Sequence, residues 1–360
     1  MKIELTRSVK NNSELTYPFS VLPARAELVS VAPDVSWLRM PMTSYIDHVN
    51  TYLIKLDEGW LIIDTGLDSC ESRATWEEIF SDTLRGESVV GVLCTHRHVD
   101  HAGLAGYLTE RWHIPLFMSY EEYFSLRGWP ECPTEIPWQY KQFYKRIGCP
   151  DDLFAKVMLM FDFSAHMSSY PPSFIRLLDG VPLPIGNDDW RILIGRGHSP
   201  EHAMIYSPRR GVLISGDQLL PRISTNVSVY AVNPEDEPLS QWFASLDRIA
   251  ELPEGTLVLP GHGLPFIGLQ SRVNELMGHH ELNLQFIVDA CSKQHHSVFD
   301  LVKTMYPSTL PDFSLLLAMG EFLAHIHYLL SRDHLEGSTD KYGVIRYQVK
   351  NAKLELLEGK

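Results

Sequence analysis

The chain has 360 residues, 44% of them hydrophobic and 21% charged, which is the balance of a globular protein with room for one large α/β domain and a smaller unit. Its formal net charge of −14 works against non-specific attraction to nucleic acid or anionic membranes, so neither is an expected partner. Five scattered cysteines without Cys-x-x-Cys spacing argue against a disulfide framework or a thiolate zinc site and point to a reducing compartment.

The amino terminus, Met1 to Arg7, lacks the apolar stretch of a secretory signal, and no run reaches the roughly 18 apolar residues of a membrane span, so a cytoplasmic location is expected. From about Val29 to Ile63 apolar and polar residues alternate, as in Val35-Ser36-Trp37-Leu38-Arg39-Met40, which predicts strands opening the first half of a β-sandwich. Ser88 to Cys94 is β-branched and apolar enough for a buried strand, and Gly103 to Leu108 opens a helix. Between them stands Cys94-Thr95-His96-Arg97-His98-Val99-Asp100-His101-Ala102, with three imidazoles and a carboxylate inside six residues. These donors suit zinc, manganese and iron, and ligands so near in sequence converge only where the backbone turns sharply. A loop at a strand end supplies that turn, at the edge where open α/β architectures place ligands. A lone His is more often a satisfied core or surface residue, but four candidate ligands at this spacing make a metal site the better reading.

The run His96-x-His98-x-Asp100-His101 resembles the shared motif of the metallo-beta-lactamase fold superfamily, and the resemblance extends over roughly residues 28 to 270. Its other elements occur in order. Asp64 ends the run Trp60-Leu61-Ile62-Ile63, His198 stands in Gly197-His198-Ser199-Pro200-Glu201-His202, Asp217 follows Val212-Leu213-Ile214-Ser215-Gly216, and His262 follows Leu257-Val258-Leu259-Pro260-Gly261. The resemblance implies an α/β fold of the αββα sandwich type. It also implies that His96, His98 and His198 hold one metal, Asp100, His101 and His262 a second, and that Asp217 bridges them. Such a centre takes two divalent ions, zinc foremost with manganese or iron as alternatives, and seven protein ligands leave positions open to water or substrate. A bridging hydroxide would then be the nucleophile. Asp64, Asp100 and His202 are the catalytic candidates, Asp64 acting from behind the ligands to fix their geometry, and His202 either contacting substrate or bracing the site.

From Trp112 to about Pro184 the chain is rich in Tyr, Trp, Phe and Pro, with helical periodicity around Tyr140 to Arg146, and reads as an insert. Trp129, Trp138, Tyr140, Phe143, Tyr144 and Tyr170 are candidates for a lid over the metals, with Tyr140 and Tyr144 as substrate contacts; the competing reading is that they pack the insert's own core. The loop after Asp217 carries Arg222 and Asn226, which could anchor a polar or anionic substrate group. Leu269 to Val288 and Leu315 to Leu330 show helical spacing, and Lys341 to Val349 reads as a strand after a turn. The resulting division is a catalytic domain over 1–270, with the insert at about 112–184, and a helical, winged-helix-like unit over 271–360. Residues 285 to 360 carry eight Lys or Arg against nine Asp or Glu, too acidic for a nucleic-acid wing, so packing or formation of a homodimer is the expected role. His279, His280, His295, His296, His325 and His327 lie outside the motif and are expected as solvated helix residues.

The expected activity is metal-dependent hydrolysis of an ester, thioester or related acyl bond in a small molecule. The alternatives are a phosphodiesterase or ribonuclease and a non-catalytic binding or regulatory module on the same fold.

Overall fold

The computed structural model describes residues 15–42, 46–128, 136–160, 164–186, 189–308 and 310–350. The chain opens as a meander of β1 (Val29–Ala32), β2 (Val35–Pro41), β3 (His48–Leu56) and β4 (Gly59–Ile63), each antiparallel to the one before. Helix α1 (Cys70–Ser81), capped where Ser69 Oγ accepts the Ser72 N–H, crosses to β5 (Val89–Leu93), which is parallel to β4. A one-turn helix α2 (Val99–Ala102) and α3 (Ala105–Trp112) lead to β6 (Leu116–Met118). Helices α4 (Tyr120–Arg127), α5 (Trp138–Arg146) and α6 (Asp151–Met160) follow, and β7 (Ile175–Arg176) completes a seven-stranded sheet in the order β1 to β7.

A second sheet has the order β11-β10-β9-β8, from β8 (Arg191–Gly195), β9 (His202–Ser207), β10 (Val212–Gly216) and β11 (Leu257–Pro260). Helix α7 (Pro238–Ala250) connects the parallel pair β10 and β11. The carboxy-terminal part consists of α8 (Leu269–Lys293), α9 (Val298–Met305), which starts with a reciprocal Ser297–Asp300 capping box, α10 (Asp312–Ser331), and a hairpin of β12 (Leu335–Thr339) and β13 (Ile345–Val349).

The two-residue period of the strands sorts their side chains into layers. Tyr52, Ile54, Leu61 and Ile63 face Ile192, Ile205, Val212 and Ile214 across the gap between the sheets. Their neighbours Leu53 and Ile62 turn outward against Trp76 and Ile79 of α1 and Leu108 of α3. On the far side of the second sheet, Met204, Tyr206, Leu213 and Val258 pack with Trp242 and Leu246 of α7 and with the carboxy-terminal helices. These layers are the αββα sandwich that the resemblance implied, followed by the helical unit and its hairpin.

Four features differ from the sequence-based expectation. Residues 112–184 are not wholly an addition, because β6 and β7 are members of the first sheet. Phe143, Tyr144 and Leu153 of α5 and α6 share a core with Leu301 of α9 and Leu315 and Met319 of α10, so one apolar core runs past residue 270. Helix α10 is long and apolar enough to cross a membrane by length and composition alone, yet most of it is buried in this core. For the same reason His280, His296 and His325, expected in solvent, are buried. Cys70, Cys94, Cys149 and Cys291 are free thiols, while Trp129 and Cys132 lie outside the described residues.

Candidate metal centre

Five strands end at one edge of the sandwich, and each delivers a motif residue there: Asp64 after β4, His96 and His98 after β5, His198 after β8, Asp217 after β10 and His262 after β11. Asp100 and His101 lie on α2, which begins where His98 leaves the extended conformation. Asp64 takes a left-handed backbone conformation at φ +63°, which Asp tolerates better than most residues. Its carboxylate accepts the Thr95 N–H at 2.7 Å, the Thr95 hydroxyl at 2.8 Å and the His101 Nδ1–H at 2.7 Å.

The remaining groups converge. His96 Nε2 lies 2.9 Å from His98 Nδ1 and 3.3 Å from His198 Nε2. Asp100 Oδ2 is 3.3 Å from His262 Nε2 and 3.6 Å from His101 Nε2. Asp217 stands between these sets, with Oδ1 3.4 Å from His101 Nε2 and Oδ2 3.5 Å from His262 Nε2 and 3.7 Å from His198 Nε2. Three overlapping groups, His96–His98–His198, His96–His101–Asp217 and Asp100–His101–His262, each bring their donor atoms within 4.8 Å of one another. His98 and Asp100 are the half-buried members, so the nest opens on their side.

The donor set fits divalent cations. His101 Nε2 and Asp217 Oδ1 are buried and face each other, yet neither has a hydrogen-bond partner among the described residues, because their 3.4 Å approach lacks hydrogen-bond geometry. Leaving such groups unsatisfied is costly, and a cation between them satisfies both. Burial holds His96, His98, His198 and His202 below the ordinary imidazole value, so these rings are neutral, the form in which His96, His98 and His198 can ligate a cation. Burial also works to lower His101 and His262, but Asp217 and Asp100 outweigh it, lifting His101 well above the ordinary value and His262 to about 10. Burial works to raise Asp100 and Asp217, and His101 and His262 reverse that effect. The carboxylates therefore draw positive charge into the nest, a role that a bound cation fills.

Backbone carbonyls and second-tier side chains aim the rings. His198 Nδ1 lies 2.8 Å from Asn226 O, and His262 Nδ1 lies 2.8 Å from His48 O. The His48 ring in turn accepts the Gly263 N–H at 3.0 Å. Asn50 Nδ2 donates to Pro260 O and Gly263 O, each at 2.8 Å, and Tyr52 donates its hydroxyl to Pro260 O at 2.9 Å. Glu122, fully buried, accepts the Arg97 N–H at 3.0 Å and the Glu201 N–H at 2.8 Å, tying the His96 loop to the His198 loop. Sequence reasoning misses His48, Asn50 and Tyr52, although polar residues at alternate positions of an otherwise apolar strand are the available signal; Glu122 leaves no comparable trace.

Several candidates lie elsewhere than expected. His202 is fully buried beneath His96, their ring centroids 4.7 Å apart, and its Nε2 accepts the Asp217 N–H at 3.1 Å, so it positions a ligand and does not meet substrate. Asn226 orients His198 through its carbonyl, while its side chain accepts from Ser228 and Tyr230. Arg222 is exposed with its guanidinium over the Tyr17 ring at 5.7 Å. Tyr144 is a core residue packed on Phe143 and Phe154, and Phe143 is likewise buried. Trp138 and Tyr170 are exposed. Tyr140 is half-buried, and burial raises its hydroxyl above the ordinary value.

Comparison with known proteins agrees with this arrangement. The family described as Metallo-beta-lactamase superfamily matches residues 45–262, and that described as Metallo-beta-lactamase-like, C-terminal domain matches residues 284–350. The Probable metallo-hydrolase YqjP of Bacillus subtilis (strain 168) is 26% identical over 318 residues, covering 85% of this chain and 96% of the relative. Among solved structures, a beta-lactamase domain protein from Burkholderia ambifaria is 38% identical with a TM-score of 0.86, covering 93% of this chain and 98% of its own. A metallo-beta-lactamase family protein from Thermus thermophilus is 27% identical with a TM-score of 0.74, covering 89% of this chain and 100% of its own. With its motif residues gathered at one edge of an αββα sandwich, the chain belongs to the metallo-beta-lactamase superfamily and is a metal-dependent hydrolase.

Proposed function

We propose that the chain hydrolyses an ester, thioester or related acyl bond of a small molecule at a two-metal centre. The observation that carries this reading is the position of Asp217 between two donor sets, its two oxygens 3.4 to 3.7 Å from His101, His262 and His198. His96, His98 and His198 would hold one cation and Asp100, His101 and His262 the other, with Asp217 placed to serve both. When bound, two divalent ions, zinc foremost, supply an activated water and polarise the scissile carbonyl.

The chain's own residues do the positioning. Asp64 anchors His101 through Nδ1 and so directs Nε2 toward Asp217. His202 holds the Asp217 backbone, and the Asn226 and His48 carbonyls keep the lone pairs of His198 and His262 turned inward. Substrate enters on the side of His98 and Asp100, the half-buried members of the nest. The net charge of −14 favours a small molecule over a polyanion as substrate.

The test is an activity screen of purified chain reloaded with zinc, manganese or iron, across esters, thioesters, lactones, β-lactams, phosphodiesters and short RNA. Turnover of acyl substrates is expected, and it should disappear in His98→Ala and Asp217→Ala with secondary structure retained. Turnover confined to phosphodiesters overturns the acyl reading, and a chain that binds no stoichiometric metal overturns the centre itself.

A further inference from the structure

The rings of the metal centre share a local construction. Ring nitrogens face one another at 2.9 and 3.3 Å, and the far nitrogens of His198 and His262 are tied to backbone carbonyls at 2.8 Å. The same construction occurs again in the carboxy-terminal helices, among residues that the hydrolytic reading does not use. His280 of α8 and His325 of α10 are fully buried. His280 Nδ1 faces His325 Nε2 at 3.1 Å, and His325 Nδ1 is tied to Glu321 O at 2.7 Å. Glu321 precedes His325 by four residues, so both project from one face of α10. Donor atoms of His280, Glu321 and His325 lie within 4.8 Å of one another.

We propose that His280, Glu321 and His325 hold a further divalent cation of the zinc or cobalt class, which ties α8 to α10. Two nitrogens on one tetrahedral ion at about 2.0–2.1 Å stand about 3.3 Å apart, close to the separation observed. With its Nδ1–H committed to a carbonyl, His325 presents the Nε2 lone pair toward His280, the tautomer a metal ligand needs. Burial pushes the Glu321 carboxyl up to about 7, a cost that a cation beside it removes.

The location gives such an ion a structural use. Gly320, next to Glu321, accepts the Val229 N–H at 3.1 Å, and Ser228 donates to Asn226 Oδ1 at 2.7 Å. A cation holding α10 in place thus steadies the loop whose Asn226 carbonyl aims His198.

The experiment strips metal from the full chain, returns Zn2+ or Co2+ in measured equivalents, and counts bound metal by mass spectrometry after dialysis. His280→Leu and the near-isosteric Glu321→Gln are each expected to bind one equivalent fewer than wild type, with unchanged circular dichroism. Equal metal content in wild type and Glu321→Gln overturns the proposal. The readout is a difference of one equivalent, so it does not depend on how many ions the hydrolytic centre takes; in a His98→Ala/Asp217→Ala background the distal equivalent should persist. Anomalous scattering at the zinc edge, from wild-type crystals grown with Zn2+, should place a peak between His280 Nδ1 and His325 Nε2. Absence of that peak, with His280 Nδ1 directly hydrogen-bonded to His325, overturns it too.

Discussion

Asp64 Oδ2 accepts the Nδ1–H of His101 at 2.7 Å, and the two side chains are 3% and 0% exposed. The contact fixes which way the His101 ring faces. In Asp64→Asn an amide N–H competes with the acceptor that the ring requires, while Asn still tolerates the left-handed φ of +63°. The fold should survive, and metal affinity at the His101 half should fall about 10–100-fold, the usual consequence of losing such an outer partner. Calorimetric titration of metal into stripped protein checks this, and unchanged affinity would remove Asp64 from the site.

Gly261, between Pro260 and His262, is a position where backbone passes the site too closely for a side chain. A Cβ there would overlap Asp217 Oδ1 and lie 2.8 Å from His101 Cε1. Gly261→Ala should therefore displace the Asp217 carboxylate and cut metal content sharply, while the apolar layers stay intact. Metal analysis combined with circular dichroism reads the two effects separately.

Glu122 ties two site loops from beneath. In Glu122→Ala two half-buried N–H groups, of Arg97 and Glu201, lose their acceptor, which should cost about 1–3 kcal/mol, measured by denaturant unfolding. The pH dependence has a definite sign. Burial raises the folded Glu122 carboxyl above its ordinary 4.5, so the folded chain binds more protons than the unfolded one in the window from about 4.5 up to the raised value. The contribution of this group to stability is full below 4.5 and declines as pH rises through the window. Glu122→Gln has nothing to ionise there and should show a flatter profile; identical slopes would contradict the assignment.

Arg222 offers the opposite expectation. Exposed and set over Tyr17, it is placed as a surface residue, so Arg222→Ala should leave KM, kcat and stability near wild type. A large rise in KM would restore it as a substrate contact.

Much of the site was legible because its signals are local. The His96 to His101 run, and single Asp or His residues closing apolar strands, each need only a few neighbours in sequence to be read. The strand alternation likewise announced which residues share a face. What could not be read was which partner covers each face. Apolar helices α8 and α10 could have left their histidines in solvent; instead they pack into the core behind the second sheet, burying His280 and His325, which are 45 residues apart. His202 resembles a site residue in its motif, but as the first residue of β9 it enters the sandwich beneath His96.

The sequence by itself determined the superfamily, the layer order and the inventory of donors, because hydrophobic period and strand-end motifs are properties of short segments. The tertiary structure decided which donors meet: Asp64 with His101 across 37 residues, His96 with His198 across 102, and His202 with the Asp217 backbone in place of a substrate. The physical reason is that a side chain's period fixes its face, whereas its hydrogen-bond partner, its burial and hence its charge are set by whatever other part of the chain packs against that face.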